Sequence, residues 1–154
     1  LEIIDANIST SLNKSIAANT FITKFSHHNR PLNNSELDEV KQRIKNNFIN
    51  FSSIKSSIKI KNISSKNFNK VVNISNVQDK SKKRNLLTIE TSDSPGLLAK
   101  IARVLFENGT SIYSARINTL GDRVEDTFEI EDVTLSCVAD KKIKKISESL
   151  KEII

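Results

Sequence analysis

Apolar residues recur along this chain with two periods, and the change from one to the other marks its elements. The run Leu86-Leu87-Thr88-Ile89 predicts a strand. After the loop Asp93-Ser94-Pro95-Gly96, the residues Leu97, Leu98, Ile101, Val104 and Leu105 return at helical spacing and make one apolar stripe. Ser94 is expected as the N-cap of this helix, with Pro95 at its first position, where the missing N–H would have no intrahelical partner. Asn108-Gly109 is expected to end it, because glycine enters the left-handed region without steric cost. A strand through Ile112 and Ile117 follows, then a turn at Gly121-Asp122. In the last strand of this set Val124, Asp126, Phe128 and Ile130 alternate with Glu125, Thr127 and Glu129, so one face is mainly apolar.

The same logic reads the rest of the chain. Leu1–Ser9 and Ser15–Lys24 predict two strands, and Ser26–Asn34 a loop. A helix runs from there to about Asn47, with Ser35 as N-cap, Asp38 at its capping-box position, and Leu37, Val40, Ile44 and Phe48 on one face. Phe51–Lys70 is rich in Ser, Lys and Asn and reads as a linker, whose spaced isoleucines Ile54, Ile58, Ile60 and Ile63 would hold it to a surface. Lys70–Ser75 predicts a strand through Val71, Val72 and Ile74, and Asn76–Arg84 an exposed charged segment. Glu131–Ala139 is expected to be irregular or to include a short strand at Thr134–Val138. Asp140–Ile153 predicts a final helix with Ile143, Ile146, Leu150 and Ile153 inward and four lysines on its solvent side.

The chain also repeats itself. Asp5-Ala6-Asn7-Ile8-Ser9-Thr10 matches Ser114-Ala115-Arg116-Ile117-Asn118-Thr119, and Thr20-Phe21-Ile22 parallels Thr127-Phe128-Glu129-Ile130. Each copy then reaches an amphipathic helix, so a duplicated module is expected.

Charge changes the picture only for the middle of the chain. The net charge of +6 comes from a first part, residues 1–84, with 15 Lys/Arg against 6 Asp/Glu, and a remainder with 9 against 12. Most of the excess lies between Ser52 and Arg84, including Lys80-Ser81-Lys82-Lys83-Arg84, which reads as a solvated basic linker; a nucleic-acid partner is not expected. Apolar residues make up 37% and aromatic ones 5%, which predicts a thin core of Ile and Leu. No run approaches the length of a membrane span, and no membrane partner is expected. The single Cys137 has no disulfide partner, which fits a reducing, cytoplasmic setting. The chain begins at Leu1 and holds no Met, so it is expected to be a C-terminal piece of a longer protein.

The string Asp-Ser-Pro-Gly-Leu-Leu, followed by Ser-Ala-Arg-Ile-Asn-Thr-Leu-Gly-Asp-Arg-Val-Glu-Asp-Thr-Phe, resembles the ACT domain, and its second half resembles the tandem ACT domains at the C-terminal end of bacterial PII uridylyltransferase/uridylyl-removing enzymes. The resemblance implies an α+β fold of ferredoxin-like βαββαβ modules. Residues 1–51 would be the C-terminal part of a first module that begins at its second strand. Residues 52–84 would be the basic linker, with a possible edge strand at 70–75, and 85–154 a second, nearly complete module. It departs from the family in Lys14-Ser15 and Asn19, where a Gly-containing turn and Asp are common, and in leaving no room after its last helix for a fourth strand. Either the second module lacks that strand or another segment such as Val71–Ser75 fills the edge. The implied function is regulatory: glutamine binding at the ACT domains, with allosteric control of the upstream catalytic domains that add UMP to the nitrogen-regulatory PII protein and remove it. Those upstream domains would use Mg2+, with no cofactor in this segment.

The residues themselves carry no nucleophile–base pair, phosphate loop or metal cluster, so no catalytic and no metal-binding residue is expected here. His27-His28 are neighbours that cannot easily share one metal. The loop has a physical reason to hold an amino acid. N–H groups at a helix start suit a carboxylate, Asp93 suits an ammonium group, and Gly96 admits a close approach. The candidate ligand residues are therefore Asp93, Ser94, Pro95, Gly96 and Leu97, with Asp126 from the neighbouring strand. The alternatives are an ACT regulatory domain on an amino-acid biosynthetic enzyme, which the Leu-Gly-Asp-Arg-Val-Glu-Asp-Thr-Phe string argues against, and an RNA-binding ferredoxin-like domain, whose aromatic strand motif is missing.

Overall fold

The computed structural model describes residues 2–11, 13–24, 30–49 and 72–154. His27-His28, the linker 51–70 and the start of the Lys70–Ser75 strand lie outside the described residues. The described elements are β1 (Glu2–Thr10), β2 (Ala17–Lys24), α1 (Asn34–Ile49), β3 (Asn73–Asp79), β4 (Arg84–Ser92), α2 (Leu97–Glu107), β5 (Thr110–Leu120), β6 (Arg123–Asp132) and α3 (Asp140–Ile153). The chain divides into two compact units, residues 3–23 with 67–154 and residues 1–2 with 24–66.

In the smaller unit the described helix is α1. It is capped by Asn33, not Ser35: Glu36 N donates to Asn33 Oδ1 at 2.9 Å, and Asn33 N donates to Glu36 Oε2 at 2.9 Å. This reciprocal pair is a capping box two residues earlier than the Ser35–Asp38 pair, and Glu suits its third position better than Asp because the longer side chain reaches back to the N-cap N–H. Arg30 then clamps Glu36 from outside, with N–O distances of 2.8 and 2.7 Å.

In the larger unit all six strands form one sheet in the order β2-β1-β5-β6-β4-β3. Helices α2 and α3 pack against each other over one face, and Leu87, Ile89, Ile101, Leu105, Phe128, Ile130, Ile146 and Leu150 form the fully buried part of the core beneath them. This is the α+β, ferredoxin-like arrangement that the resemblance implies. The expected α3 boundaries match those observed, with Ile143, Ile146 and Leu150 buried; Ile153, expected inward, is exposed in the last turn of the helix. The stretch after β6 is irregular, with no strand at Thr134–Val138.

The repeat is written into the sheet. β1 and β5 pair antiparallel with Asp5 opposite Asn118, Asn7 opposite Arg116 and Ser9 opposite Ser114. In the sequence repeat Asp5 corresponds to Ser114 and Ser9 to Asn118. Each residue thus faces the counterpart of its own mirror position, and a local pseudo-twofold axis passes between Asn7 and Arg116. Beyond this axis β2 and β6 occupy corresponding places. They differ in surroundings: β6 is flanked by β5 and β4, whereas β2 ends the sheet and every residue of it is exposed.

The outer position beside β4, where a ferredoxin-like unit carries its fourth strand, is filled from the front of the module. β3 pairs antiparallel with β4 from Asn73 opposite Glu90 to Asp79 opposite Arg84. The strand lies further along than the Lys70–Ser75 segment, and Asn76–Asp79, expected as an exposed charged stretch, belong to it. Asp79 closes the hairpin by accepting bonds from Ser81 N, Ser81 Oγ and Lys82 N at 3.0, 2.6 and 3.1 Å. Fully buried Asn85 ties this edge to the end of the module. Its Nδ2 donates to Asn76 Oδ1 at 3.1 Å, and its Oδ1 accepts from Val138 N at 2.7 Å. Asn85→Ala leaves two polar groups without partners, and a buried group stripped of its partner costs about 1–3 kcal/mol. The substitution is expected to lower the urea unfolding free energy by about 2–3 kcal/mol with an unchanged denaturant slope.

Candidate functional site

The candidate residues gather at one end of the sheet, where β4 leaves it. Ser94 is not an N-cap. Its carbonyl oxygen accepts from Leu97 N at 3.0 Å, and Gly96 takes the left-handed conformation with φ 77° and ψ 13°. Pro at the second position and a positive-φ Gly at the third define a type II turn. The Pro95-Gly96 pair therefore forms a turn before the helix, and α2 starts at Leu97 without a side-chain cap. A Cβ at residue 96 would meet nothing within 4 Å, so the requirement for glycine there is conformational and leaves open space beside the backbone.

Asp93 is exposed at the head of the loop, and its N–H donates to Asp122 O at 2.9 Å. That bond fastens the loop to the Gly121-Asp122 turn between β5 and β6. Arg123, just after the turn, reaches Glu90 on β4 at 3.1 Å. Pro95 and Gly96 are exposed and Leu97 is buried in the core. The Ser94 hydroxyl oxygen is buried with no hydrogen-bond partner.

Asp126 lies inside the sheet, not at its edge. Its residue is 1% exposed, opposite Ile89 on β4, and its Oδ1 accepts from Asn118 N on β5 at 3.3 Å. Among the described residues no cation pairs with it. Burial raises its pKa to about 7, the bond from Asn118 N opposes the rise, and the charge of Asp93 adds to it. Thr91, on the same side of β4 and two residues from Ile89, is a member the sequence reading missed; its hydroxyl is buried without a partner. Period-two alternation through Asn85, Leu87 and Ile89 was the signal that could have found it, since it puts Thr91 on the helix-covered face.

The opposite face of the sheet carries a separate ionic cluster. Glu131 pairs with Lys14 from the β1–β2 turn and lies 3.7 Å from Arg84 Nε, while Glu129 lies 3.8 Å from Lys82 and 3.9 Å from Arg84. A bulge between Ile112 and Ser114 leaves Tyr113 as an extra residue, and the Arg84 guanidinium sits 3.3 Å from its ring centroid. The basic run before Asn85 is therefore partly neutralised within the module. Among the described residues no group of three His, Cys, Asp or Glu side chains could hold a metal ion, and no helix is long and apolar enough to cross a membrane.

No family model matches the chain, and no solved structure matches it. Curated relatives do. The chain is 27% identical over 154 residues to the bifunctional uridylyltransferase/uridylyl-removing enzyme of Psychrobacter sp. (strain PRwf-1), a match that covers 100% of the chain and 17% of the relative. It is 28% identical over 152 residues to the enzyme of the same description from Psychrobacter arcticus, covering 99% of the chain and 16% of that relative. A shorter match to the corresponding enzyme of Burkholderia mallei reaches 51% identity over 51 residues, 33% of the chain and 6% of the relative. The resemblance read from the motifs and the relatives found by comparison agree, and the chain spans about a sixth of the length of the relatives it matches in full.

The raised pKa of Asp126 has a consequence for stability. A carboxyl whose pKa is higher in the folded state than in the unfolded chain stabilises the fold fully below the unfolded value near 4, and that contribution is lost as pH rises through about 7. Asp79, held down by bonds from Ser81 and Lys82, and Asp132, held down by Lys142, act in the opposite sense at acid pH. Asp126→Asn keeps an acceptor for Asn118 N and removes the ionisation. It is expected to flatten the fall in unfolding free energy between pH 4 and 8 and to exceed the parent by about 2–4 kcal/mol at pH 8, read by denaturation at a series of pH values.

Proposed function

We propose that this chain is the amino-acid-sensing regulatory segment of a bifunctional uridylyltransferase/uridylyl-removing enzyme, built from ACT modules and responding to glutamine. Full-length similarity to a sixth of such enzymes supports the parent, and the loop between β4 and α2 supports the sensor. The single observation that carries the sensing role is the pair of carboxylates, an exposed Asp93 and a buried Asp126 that no cation pairs with among the described residues. An α-amino acid carries an ammonium group and a carboxylate, and this end of the module offers a partner for each. Its ammonium group meets Asp93, and its carboxylate meets the first N–H groups of α2, which carry the positive end of the helix dipole. The open backbone at Gly96 admits that approach.

In this reading the PII protein and the catalytic domains are reached through the intact enzyme, and the segment supplies regulation alone. Glutamine shifts the enzyme only as far as its affinity differs between two arrangements of these domains. The β1–β5 pairing places Asp5 of the first repeat opposite Asn118, whose N–H binds Asp126, so the two repeats meet beside the site.

In the intact protein, Asp93→Ala is expected to weaken glutamine binding by about 1.5–3 kcal/mol, roughly ten- to hundredfold, with little change in the melting temperature of the ligand-free protein. Ser94→Ala serves as the contrast. Its hydroxyl makes no cap bond, so losing it leaves stability within about 0.5 kcal/mol of the parent. Thermal denaturation with and without glutamine reads both effects, and unaltered glutamine affinity in Asp93→Ala would move the site elsewhere.

A further inference from the structure

The first repeat is held on the sheet by little buried surface. Among the described residues of β1 and β2, Ala6 alone is buried, Ile3 and Ile8 pack against the core from its margin, and every residue of β2 is exposed. Beyond the antiparallel pairing of Asp5–Ser9 with β5, a side-chain contact joins this hairpin to the second module. It comes from the β1–β2 turn, where Lys14 pairs with Glu131 near the end of β6.

The turn is built to present Lys14. Asn13 Oδ1 accepts from Ser11 Oγ, Ser15 N and Ser15 Oγ at 2.7, 3.2 and 2.7 Å, and Ser11 O accepts from Lys14 N at 2.8 Å. Lys14 itself is left-handed, with φ 57°, whereas the β5–β6 turn of the second copy uses Gly121, φ 62°, for that conformation. A side chain there carries a steric cost that glycine avoids, and such a residue persists where its surroundings determine it. The contact of its ammonium group with Glu131 is one such determinant.

The acceptor is fixed by the second module. The Glu131 side chain is 7% exposed, and its carboxylate lies 3.7 Å from Arg84 Nε. Arg84 is placed in turn by the Tyr113 ring beneath it and by Glu129 at 3.9 Å. Strands β4, β5 and β6 thus set the carboxylate, while the first repeat supplies the ammonium group. The Lys14 side chain is 38% exposed, so ions in solution reach the pair.

We propose that Lys14 and Glu131 form an ionic strap that fastens the β1–β2 hairpin to the second module and that salt loosens, so that the hairpin detaches from β5 while β3–β6 and their two helices stay folded. Uneven burial is the reason. Apart from Ala6, every buried apolar residue described lies between Leu87 and Leu150, so opening the hairpin exposes little apolar surface and is a local event of low cost. The strap adds an electrostatic contribution to that small balance, and screening removes it. It sits at the opposite end of β6 from the β4–α2 loop and does not depend on amino-acid binding there.

Hydrogen exchange of the full chain tests this, read at the β1 amides that pair with β5 and compared with the amides of β6. In the parent, β1 protection is expected to fall about two- to fivefold as NaCl rises from about 0.05 to about 0.5 M, with β6 protection unchanged. Lys14→Met keeps the length of the side chain and its left-handed cost but removes the charge. It is expected to show the lowered β1 protection already at low salt, with no further fall as salt is added. Lys14→Arg is expected to keep both the protection and its salt dependence, and Lys14→Met is expected to add nothing to Glu131→Gln in a double-mutant cycle. Salt-insensitive β1 protection in the parent, protection in Lys14→Met equal to that of the parent, or full additivity of Lys14→Met and Glu131→Gln overturns the strap. Exchange of β1 and β6 together, at one rate, overturns the separate opening of the hairpin and the proposal with it.

Discussion

The parity of β6 is the constraint on which the larger unit depends. This strand lies between β5 and β4, and Val124, Phe128 and Ile130 all point into the core under α2 and α3. Burying three such side chains is worth roughly 5–9 kcal/mol, at about 1.5–3 kcal/mol each. A slip of one residue would turn them to the open face and put Glu125 and Glu129 into the core. Asp126 has the same parity and is carried inside with them. Its cost in the ionised form is smaller than what its neighbours contribute, so the strand holds its register and the carboxyl shifts its pKa instead.

The pseudo-twofold axis explains why two similar sequences end in different environments. Pairing of β1 with β5 gives the two repeats equivalent places in the sheet, yet Phe128 is fully buried and its counterpart Phe21 is 47% exposed. The difference lies in the neighbours, since β6 has β4 on its far side and β2 ends the sheet. Desolvation, and with it the perturbed carboxyl, belongs to the repeat that has both flanking strands. An Asn at position 19 and an Asp at position 126 fit these two settings: the charge-capable group sits where burial gives its titration a consequence.

Strand parity and helix stripes were the most legible parts of the sequence, because each is fixed by burial of several residues at once. The alternation from Val124 to Ile130 and the stripe from Leu97 to Leu105 gave the correct inward faces. Caps were less legible, since several polar residues stand near each helix start and only the path of the backbone chooses among them. Asn33 displaced Ser35 because Glu36 could complete the reciprocal bonds. Pro95-Gly96 displaced a Ser94 cap because that pair fits a type II turn better than a first helical turn. β3 was blurred for a related reason: as an edge strand it buries little, so Asn76 and Gln78 read as exposed although both pair with β4. In the candidate site the loop was visible as a motif, and the burial of Asp126 could be suspected from its parity. The absence, among the described residues, of a cation partner for Asp126 and the bare hydroxyls of Thr91 and Ser94 depend on tertiary placement alone.

Asp126 is left unfinished in energetic terms, a buried carboxyl that no cation pairs with among the described residues. Burial is the main reason its pKa rises, and the charge of Asp93 adds to the rise. The Asp93 N–H bond to Asp122 O fastens the loop backbone to the β5–β6 turn, the Asn118 N–H bond ties the Asp126 carboxyl to β5, and β5 is the strand that pairs with β1 of the first repeat. These bonds and the β1–β5 pairing make one continuous hydrogen-bonded path from the β4–α2 loop through the β5–β6 hairpin to the first repeat.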